Sequence, residues 1–390
     1  MTTFLWVWLI TQGIGVGIVW IFTIGLGRRV HLDETPRVAV IVAVKGHDYE
    51  FDEFLVRLFE QDYPEFRVIF AVESMADGAV PAVEKCRAIA PDRVALVVAG
   101  QRPDEGQKVT NLIAAVATIT PEDDVLVFAD ADIWPEPDWL SRLVAPLVDG
   151  TADVVSGFAW LIVKDGRASS YLLAAMAAPL ATIPRLPLLN AAWGGSTAIT
   201  QETFHDLNIA EEWRGTLSDD LHLTQVVLRA GGRIRAPREV LLRTALKTGG
   251  FADVRALTLR WFMLARVYLP ATFWATLAAM SFTALGWITA IMGTLALRVE
   301  VAAVLVAALV LNVLRALGRG QLVKRLWGEG GVAENKQYLR MEPFLAPLAV
   351  IQQAIDGWSA LLIKRTTWAG ITYEVDGPHD VRVLERDKQS

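Results

Sequence analysis

A run of five apolar residues that leads into two aspartates is the feature that most constrains how this chain can fold. Residues 125–129 read Val-Leu-Val-Phe-Ala, and Asp130 and Asp132 follow with a single alanine between them. A short, continuous apolar run rich in valine and phenylalanine is typical of a buried parallel strand. The sequence therefore predicts an α/β fold with both carboxylates at the carboxyl end of a strand, where such sheets bind ligands.

The spacing of Asp130 and Asp132 indicates a divalent-cation site. Alternate residues of an extended chain point to the same side, so the two carboxylates can face one ligand together. Two hard oxygen donors suit Mg²⁺ or Mn²⁺ held together with a diphosphate. A strand that simply ends in a polar turn has the same pattern, so the pair by itself leaves both interpretations open.

Strand and helix patterns alternate along the chain before this run. The predicted strands lie at 38–44, 66–72 and 94–98, and the predicted helices lie at 51–59, 80–90 and 108–118. Such alternation is typical of a doubly wound, Rossmann-like α/β domain with a parallel sheet. Polar turns follow the first two strands at Lys45, Glu73 and Asp77, and nucleotide ligands dock at turns of this kind.

An apolar segment near the N-terminus predicts a membrane helix. Residues 4–26 are nearly uncharged and are followed by Arg28 and Arg29, and about twenty such residues span a bilayer. A cleaved signal peptide carries its positive charges before the apolar run, not after it. The positive-inside rule therefore places the N-terminus outside and Arg28 onward in the cytoplasm. The composition agrees, with 53% hydrophobic residues and a mean hydropathy of +0.36.

Two further membrane helices are predicted in the C-terminal half, at 268–297 and 299–314, with Arg298 in the turn between them. The basic residues that return the chain to the cytoplasm follow at Arg315, Arg319, Lys324 and Arg325. Residues 344–363 are also apolar, but Asp356 and neighbouring glutamines interrupt them. Because polar residues are costly in mid-membrane, we predict an interfacial helix there.

Two other helices are predicted to lie at the membrane interface. Residues 169–183 are rich in alanine and leucine but are interrupted by Pro179 and followed by Pro184 and Pro187. This segment is too broken to span a bilayer, and the alternative to an interfacial position is burial in the soluble domain. Residues 251–267 are amphipathic, with arginines beside apolar and aromatic residues.

The chain is accordingly divided into an N-terminal transmembrane helix at 1–27, an α/β catalytic domain at 36–250, an amphipathic interfacial helix with an Arg-Trp motif at 251–267, two transmembrane helices at 268–317, and a cytoplasmic or interfacial segment at 318–390. The net charge of −6 argues against a broad nucleic-acid surface. The single cysteine, Cys86, excludes an intrachain disulfide framework and a cysteine-rich zinc site, and we interpret it as helix packing.

The acidic residues indicate transfer from a nucleotide-activated donor. A sugar nucleotide needs a cation to neutralise the departing diphosphate and a carboxylate to take the proton of the attacking hydroxyl. Asp130 or Asp132 suits the cation. Asp220 lies just inside a predicted helix that Ser218 caps, and it suits the base. Helix capping is the alternative explanation of the acidic pair formed by Asp219 and Asp220.

Arg260 and Trp261 are adjacent on the amphipathic helix. An arginine can clamp a phosphate, and a tryptophan can line a sugar pocket. The alternative is an Arg-Trp pair that simply marks the membrane interface.

The order and spacing of these motifs resemble the ceramide glucosyltransferases and their bacterial relatives, which are inverting glycosyltransferases of the GT-A type. The matching segments cover nearly the whole chain and are Val44-Lys45-Gly46, Asp62-Tyr63-Pro64, Asp77-Gly78-Ala79, Gln107-Lys108-Val109-Thr110-Asn111-Leu112, Asp130-Ala131-Asp132-Ile133, Ser218-Asp219-Asp220, Arg260-Trp261 and Thr367-Trp368-Ala369-Gly370-Ile371-Thr372-Tyr373. One departure is Leu257, which stands where the family has a polar residue before its Arg-Trp pair.

This resemblance implies a GT-A-type α/β domain in the cytoplasm, joined to transmembrane and interfacial helices of a multi-pass protein of the bacterial inner membrane. It implies transfer of a sugar from a UDP-sugar, either UDP-glucose or UDP-glucuronate, to the hydroxyl of ceramide with inversion. It further implies Mg²⁺ or Mn²⁺ at Asp130 and Asp132, and Asp220 as the catalytic base. The implied substrate-binding residues are Lys45, Glu73, Asp77, Lys108, Asn111, Asp130, Arg260 and Trp261.

Other functions compete with this one. The acceptor can be another lipid, such as a hopanoid or a polyprenyl phosphate. A processive polysaccharide synthase needs a product channel, usually built from more spans than the three predicted here. A non-catalytic membrane scaffold would not need acidic residues at strand and helix ends. No P-loop motif and no G-x-G-x-x-G after the first strand is present, which argues against a P-loop NTPase and a Rossmann dehydrogenase.

Overall fold

The computed structural model describes residues 2–27, 35–183 and 190–387. The predicted cytoplasmic charges Arg28 and Arg29 lie outside the described residues, and so do Pro184 and Pro187. The helices and strands are, in chain order, α1 Thr2–Ile24, β1 Val38–Ala43, α2 Tyr49–Phe59, β2 Phe66–Val72, α3 Val80–Ile89, β3 Val94–Val98, α4 Gln107–Val116, β4 Val125–Ala129, β5 Ile133–Trp134, α5 Trp139–Val148, β6 Val154–Ser156, β7 Phe158–Val163, α6 Ala168–Ala181, β8 Ser196–Thr200, α7 Gln201–Asp206, α8 Ile209–Glu212, α9 Asp219–Arg229, β9 Ile234–Arg235, β10 Leu241–Leu246, α10 Phe251–Tyr268, α11 Pro270–Leu295, α12 Val299–Ser359, β11 Arg365–Trp368, β12 Ile371–Gly377 and β13 Asp380–Arg386.

The central sheet has seven strands in the order β3-β2-β1-β4-β8-β6-β9. Strands β1 to β4 are parallel, as the sequence predicts, and the apolar run before Asp130 is the fourth strand of this set. Strand β8 runs antiparallel to both β4 and β6. The prediction of a wholly parallel sheet is therefore wrong beyond β4, and the sheet is mixed.

Helices cover both faces of this sheet, which explains why its central strands are apolar at every position. On one face, Val40 of β1 belongs to a buried cluster that includes Phe54 of α2 and Leu143 of α5. On the other face, Ile41 belongs to a second cluster that includes Leu112 of α4. The carboxyl ends of β1 and β4 are neighbours because these two strands pair directly.

The helix predicted at the membrane interface over 169–183 is instead buried within the protein. It forms α6, and Leu173 and Met176 of this helix share a cluster with Trp160 of β7 and Leu322 of α12. A second sheet, β5-β10-β7, lies next to it. Most of this helix is therefore buried, as the alternative interpretation expected, but its apolar partners include α12 as well as the α/β domain.

Within the described residues, three helices, α1, α11 and α12, are long and apolar enough to cross a membrane. They pack against one another: Trp8 of α1 meets Trp287 of α11 edge to face with ring centroids 5.0 Å apart. Thr23 near the end of α1 donates a hydrogen bond to the carbonyl of Gly318 in α12. The number of candidate spans agrees with the sequence prediction, but the bounds of the last one differ.

Helix α12 continues far beyond the predicted end at Leu314, and it reverses direction at Gly328. Gly328 has a left-handed φ of 67° inside the helix. The Asn312 side chain donates to the carbonyl of Pro343 over 3.0 Å, although a straight helix would separate residues so far apart in sequence by roughly 45 Å. Two antiparallel arms, 299–327 and 329–359, therefore pack side by side.

The returning arm contains most of the segment predicted as an interfacial helix at 344–363, and it packs along α11. The Trp358 indole donates to the Ser281 hydroxyl over 3.0 Å, and Gly357 lies against Leu277. The predicted boundary at residue 317 therefore falls inside a continuous helical arm. The position of these helices relative to a membrane stays a prediction.

A three-stranded antiparallel sheet, β11-β12-β13, follows α12 and was not predicted. Its apolar side packs on the α/β domain, where Tyr373 and Val381 share a cluster with Leu217 and Tyr268. Arg386 of β13 donates to the Glu73 carboxylate over 3.1 Å. The C-terminal sheet therefore covers the domain beside the carboxyl ends of β1 and β2.

Candidate active site

A cleft of about 320 Å³ opens at the carboxyl ends of β1 and β4. Its floor and walls are formed by the turn after β1, the start of α4, the turn after β4 and the C-terminal sheet. The lining residues that carry polar or aromatic groups include Lys45, Asp48, Gln107, Lys108, Asn111, Asp130, Asp132, Trp368 and Tyr373. The cleft therefore contains the two predicted metal ligands, Asp130 and Asp132, and three further residues predicted to bind the donor, Lys45, Lys108 and Asn111.

Lys108 lies at the centre of the acidic residues. Its ammonium donates to Asp130 Oδ1 over 2.7 Å and lies 3.5 Å from Asp219 Oδ1. Burial opposes the charge on this group, but the surrounding carboxylates, Asp130 first among them, outweigh it and raise the pKa of Lys108. The ammonium therefore stays protonated and neutralises part of the negative charge in the site.

Asp132 lacks such a cation. It stands in the turn after β4, accessible from the cleft, and in the described part of the chain no basic side chain pairs with it. The surrounding protein and the neighbouring Asp130 carboxylate raise the pKa of Asp132 above its usual range. A divalent cation would relieve this repulsion, so Asp130 and Asp132 fit the predicted metal site.

The acidic pair at the start of α9 faces the same cluster. Ser218 caps the helix, as predicted, by accepting a hydrogen bond from the Leu221 amide. Asp220 Oδ2 accepts from the Gly194 amide over 3.0 Å, and its Oδ1 accepts from the Leu221 amide over 2.7 Å. Asp220 is thus fixed in orientation, and its carboxylate bridges α9 to the turn before β8.

Adjacent positions on a helix point about a hundred degrees apart, but Asp219 does not point away from Asp220. A Cβ atom placed on Gly194 would lie 3.0 Å from Asp219 Oδ2 and 3.4 Å from Asp220 Oδ2, so both carboxylates approach one point. Asp219 is 4% exposed, and burial, opposed by Lys108, raises its pKa to about 6. Asp219 is therefore the more buried member of the pair.

Sequence reasoning missed Gly194. A Cβ atom at this position would lie only 2.6 Å from Lys108 Nζ, and the Gly194 carbonyl accepts from the same ammonium over 3.3 Å. The signal was present in the double glycine of the Trp193-Gly194-Gly195 turn, which indicates a close approach of side chains to the backbone.

Glu73 and Asp77 stand beside the cleft and do not line it. Asp77 is buried and accepts from the amides of Gly46 and Ala79, each over 2.9 Å. It therefore holds together the turns that follow β1 and β2. Glu73 lies 3.6 Å from Lys45 Nζ and also binds Arg386, so it positions a cleft lysine and anchors the C-terminal sheet.

Asn111 lines the cleft, but its side chain is engaged inside the protein. Its amide donates to the Ala71 carbonyl over 3.2 Å and accepts from Gln107 over 2.9 Å. These bonds fix α4 against β2. The motif at residues 107–112 is thereby fixed in place. It orients Lys108, which lies about one helical turn from Asn111, towards the acidic cluster.

Arg260 and Trp261 point to different surroundings. The Arg260 guanidinium lies over the ring of Trp368, 4.9 Å from its centroid, at the wall of the cleft. In the described part of the chain it has no acidic partner, and burial lowers its pKa to about 10. Trp261 packs instead with the cluster around α6 and α12, and it does not line the cleft.

The C-terminal sheet supplies one wall of the cleft. Trp368, Ile371 and Tyr373 line it, and the Tyr373 hydroxyl accepts from the Gln107 amide at the start of α4. The sequence motif over 367–373 was matched to a family segment, but its contact with the cleft could not be predicted. That contact joins residues 266 positions apart in the chain.

A mixed α/β sheet with a carboxylate cluster and a lysine in a cleft defines an enzyme-like site on a chain with long apolar helices. The model of Glycosyl transferase family 21 matches residues 6–375. The chain therefore belongs to this family and is a glycosyltransferase that uses a nucleotide-sugar donor.

Several solved structures are similar to this chain at low identity. One is the mannosyltransferase PcManGT from Pyrobaculum calidifontis in complex with GDP-Man and Mn²⁺, with 20% identity, coverage of 92% of this chain and 98% of that chain, and a TM-score of 0.48. Another is S. aureus TarS 1-349 in complex with UDP-GlcNAc, with 16% identity, coverage of 90% and 100%, and a TM-score of 0.40. Similarity at this level assigns neither donor nor acceptor to this chain.

Proposed function

We propose that this protein transfers a sugar from a UDP-sugar, UDP-glucose or UDP-glucuronate, to the hydroxyl of ceramide, with inversion. The observation that carries the proposal is the carboxylate cluster around Lys108 at the floor of the cleft. Asp130 and Asp219 lie within 3.5 Å of its ammonium. One side of this cluster can bind a diphosphate together with a metal ion, and the other side can accept the proton of an attacking hydroxyl.

The donor would occupy the cleft between Lys45 and the aromatic wall at Trp368. Its diphosphate would be held with Mg²⁺ or Mn²⁺ at Asp130 and Asp132. When bound, the cation neutralises the charge that develops on the departing diphosphate. Arg260 contributes a cation at the same wall, because its guanidinium is stacked on Trp368 and has no acidic partner in the described residues.

Asp220 is proposed as the base. It is more accessible than the buried Asp219, and an incoming hydroxyl must reach the carboxylate from the open side of the cleft. Its hydrogen bond from the Gly194 amide holds it in one orientation, which favours proton transfer to a fixed oxygen. Asp219 with Lys108 then positions α9 relative to β4.

A lipid acceptor is supported by the position of the cleft relative to the apolar helices. Arg260 lies in α10, which ends at Tyr268, and α11 begins at Pro270. The cleft wall is therefore within about 15 Å of the start of a candidate span. Apolar side chains such as Ile10 and Ile14 of α1 are exposed, as expected of a surface that faces lipid, so the cleft would open near the membrane surface.

The cytoplasmic orientation of the α/β domain and the inner-membrane location belong to this proposal. They rest on the positive-inside pattern of the sequence. Ceramide is the acceptor that the family resemblance implies, and a hopanoid or polyprenyl phosphate product would correct the acceptor without changing the reaction.

Donor binding tests the metal part of the proposal. Wild-type protein should bind UDP-sugar with Mn²⁺ and lose at least about tenfold in affinity in the Asp132→Asn variant, because an amide replaces an anionic ligand. The exposed Asp92, in the turn between α3 and β3, provides a matched control, and Asp92→Asn should bind as wild type does. Undiminished binding by Asp132→Asn, or in the presence of chelator, would exclude the metal site.

A further inference from the structure

A second group of metal-ligating side chains lies outside the cleft. Glu212 at the end of α8, His222 in α9 and His379 in the turn between β12 and β13 each offer one ligand atom, and these atoms lie within 4.8 Å of one another. We propose that these three residues bind a divalent transition metal such as Zn²⁺, and that the metal links the C-terminal sheet to α9.

His222 has the free nitrogen that a metal requires. Its side chain is fully buried, its Nε2 lies 3.2 Å from Glu212 Oε2, and its Nδ1 has no hydrogen-bond partner in the described part of the protein. A buried imidazole nitrogen without a partner is costly in an ordinary core and calls for a ligand.

His379 is oriented in the way that metal-binding histidines usually are. Its Nδ1 lies 2.9 Å from the carbonyl oxygen of Arg214. Because a carbonyl can only accept, Nδ1 must carry the proton, and the lone pair of Nε2 is left available. The His379 ring meets the His222 ring edge to face, with centroids 4.7 Å apart. The backbone thus selects the tautomer that can bind a metal.

The chemistry of the three ligand atoms determines which metals they can bind. Two imidazole nitrogens and one carboxylate oxygen suit Zn²⁺ and similar transition metals, whereas Mg²⁺ prefers oxygen ligands alone. This site therefore differs in chemistry from the aspartate pair of the cleft. Three protein ligands leave a fourth position for water, and Glu212 is partly exposed, which gives an ion a path of entry.

Metal binding here would act on the cleft through the C-terminal sheet. His379 follows β12, the strand that carries Ile371 and Tyr373 to the cleft wall. On the other side, His222 follows Asp220 by two residues in α9. A metal that joins these two elements would hold the cleft wall at a fixed distance from the acidic cluster.

Zinc uptake by the full-length protein tests this proposal. The protein is purified without a histidine tag and stripped of metal with a chelator. It is then supplied with excess Mg²⁺ and titrated with Zn²⁺, and the bound zinc is quantified by elemental mass spectrometry. Wild type should retain one equivalent, and His379→Ala should retain none. His379 is exposed, so this variant should fold. The exposed His205 provides the matched control, and His205→Ala should retain one equivalent.

Two further measurements separate this site from the cleft. The double variant Asp130→Asn/Asp132→Asn should keep its zinc, and Zn²⁺ should slow amide hydrogen exchange in β12 and β13 of wild type by at least about tenfold, but not in His379→Ala. Failure of wild type to retain zinc, retention by His379→Ala, or loss in the double aspartate variant would each overturn the proposal. Because no donor is needed, these results do not depend on the proposed glycosyl transfer.

Discussion

Lys108 explains the arrangement of the site at the scale of single residues. Its ammonium joins Asp130 of the β4 turn to Asp219 of α9, two residues that are far apart in the sequence. Without it, several carboxylates would converge at Gly194 with no cation between them. The roles of the two α9 aspartates and of this glycine can therefore be separated by substitution.

The base assignment predicts different effects at the two aspartates. Asp220→Asn keeps the size of the side chain and removes its proton-accepting charge. It should cut turnover by at least about a hundredfold and leave donor affinity within a few-fold. Asp219→Asn should lose much less. The measurement is kcat together with donor affinity for both variants. Near-normal turnover in Asp220→Asn with an inactive Asp219→Asn would move the base by one residue.

The close approach at Gly194 predicts that even a methyl group is harmful there. In Gly194→Ala the new Cβ would lie 2.6 Å from Lys108 Nζ, so the ammonium must leave its present position between Asp130 and Asp219. We expect turnover to fall by about tenfold or more. Gly330 in α12 has no atom close to where its Cβ would be, so Gly330→Ala is the control and should be neutral. Equal activity of the two variants would show that the cluster tolerates displacement.

At the scale of elements, the sequence correctly predicted the helices, strands and turns whose formation depends on residues close together in the chain. The strands up to β4, the acidic turn after it and the Ser218 cap depend on neighbouring residues, and the sequence predicted all of them. The antiparallel β8, the burial of α6 and the reversal of α12 at Gly328 depend on packing between distant segments. Gly328, Gly330 and Gly331 lie close together, which indicates a weak point in the helix, but the direction of the second arm depends on its packing against the first.

The same distinction holds in the site. Asp130, Asp132 and Lys108 were predicted from strand ends and motifs. The cleft wall at Trp368 and Tyr373 belongs to a sheet whose contact with α4 is long-range, and the side-chain direction of Asp219 follows from its attraction to Lys108. Neither could be predicted from residue spacing.

The hairpin of α12 contains a buried ion pair whose loss should be costly. Arg319 and Glu342 are 3% and 2% exposed and pair across the two arms. Arg319→Met would leave the Glu342 carboxylate buried without a partner, at a cost of about 3–5 kcal/mol. The change should appear as a lower Tm in detergent, and adding Glu342→Gln should recover part of it.

An exposed pair in the same helix serves as the control. Lys324 and Glu329 are 53% and 76% exposed, and such pairs contribute about 1 kcal/mol at most. Lys324→Met should therefore leave Tm nearly unchanged. Similar losses for Lys324→Met and Arg319→Met would mean that the Arg319 pair does not hold the two arms together.

At the scale of the whole molecule, the cleft lies between the α/β domain and the C-terminal sheet, and Arg260 of α10 stacks on Trp368 at its wall. The proposed topology, in which this cleft faces the cytoplasm, predicts the accessibility of single cysteines. In a variant without Cys86, a cysteine at Val299, the first residue of α12, which is 82% exposed, should react with a membrane-impermeant reagent added to intact cells. A cysteine at the exposed Asp92 should react only after lysis. The reverse pattern would invert the topology.

The identity of the lipid product tests the central claim most directly. The protein is expressed in a host that lacks glycolipids but is supplied with ceramide, and total lipids are analysed by mass spectrometry. The account predicts a new lipid whose mass equals ceramide plus one hexose or one hexuronate residue, present with wild type and absent with Asp132→Asn. Wild-type cells whose membranes contain the folded protein but no glycosylated ceramide would contradict it.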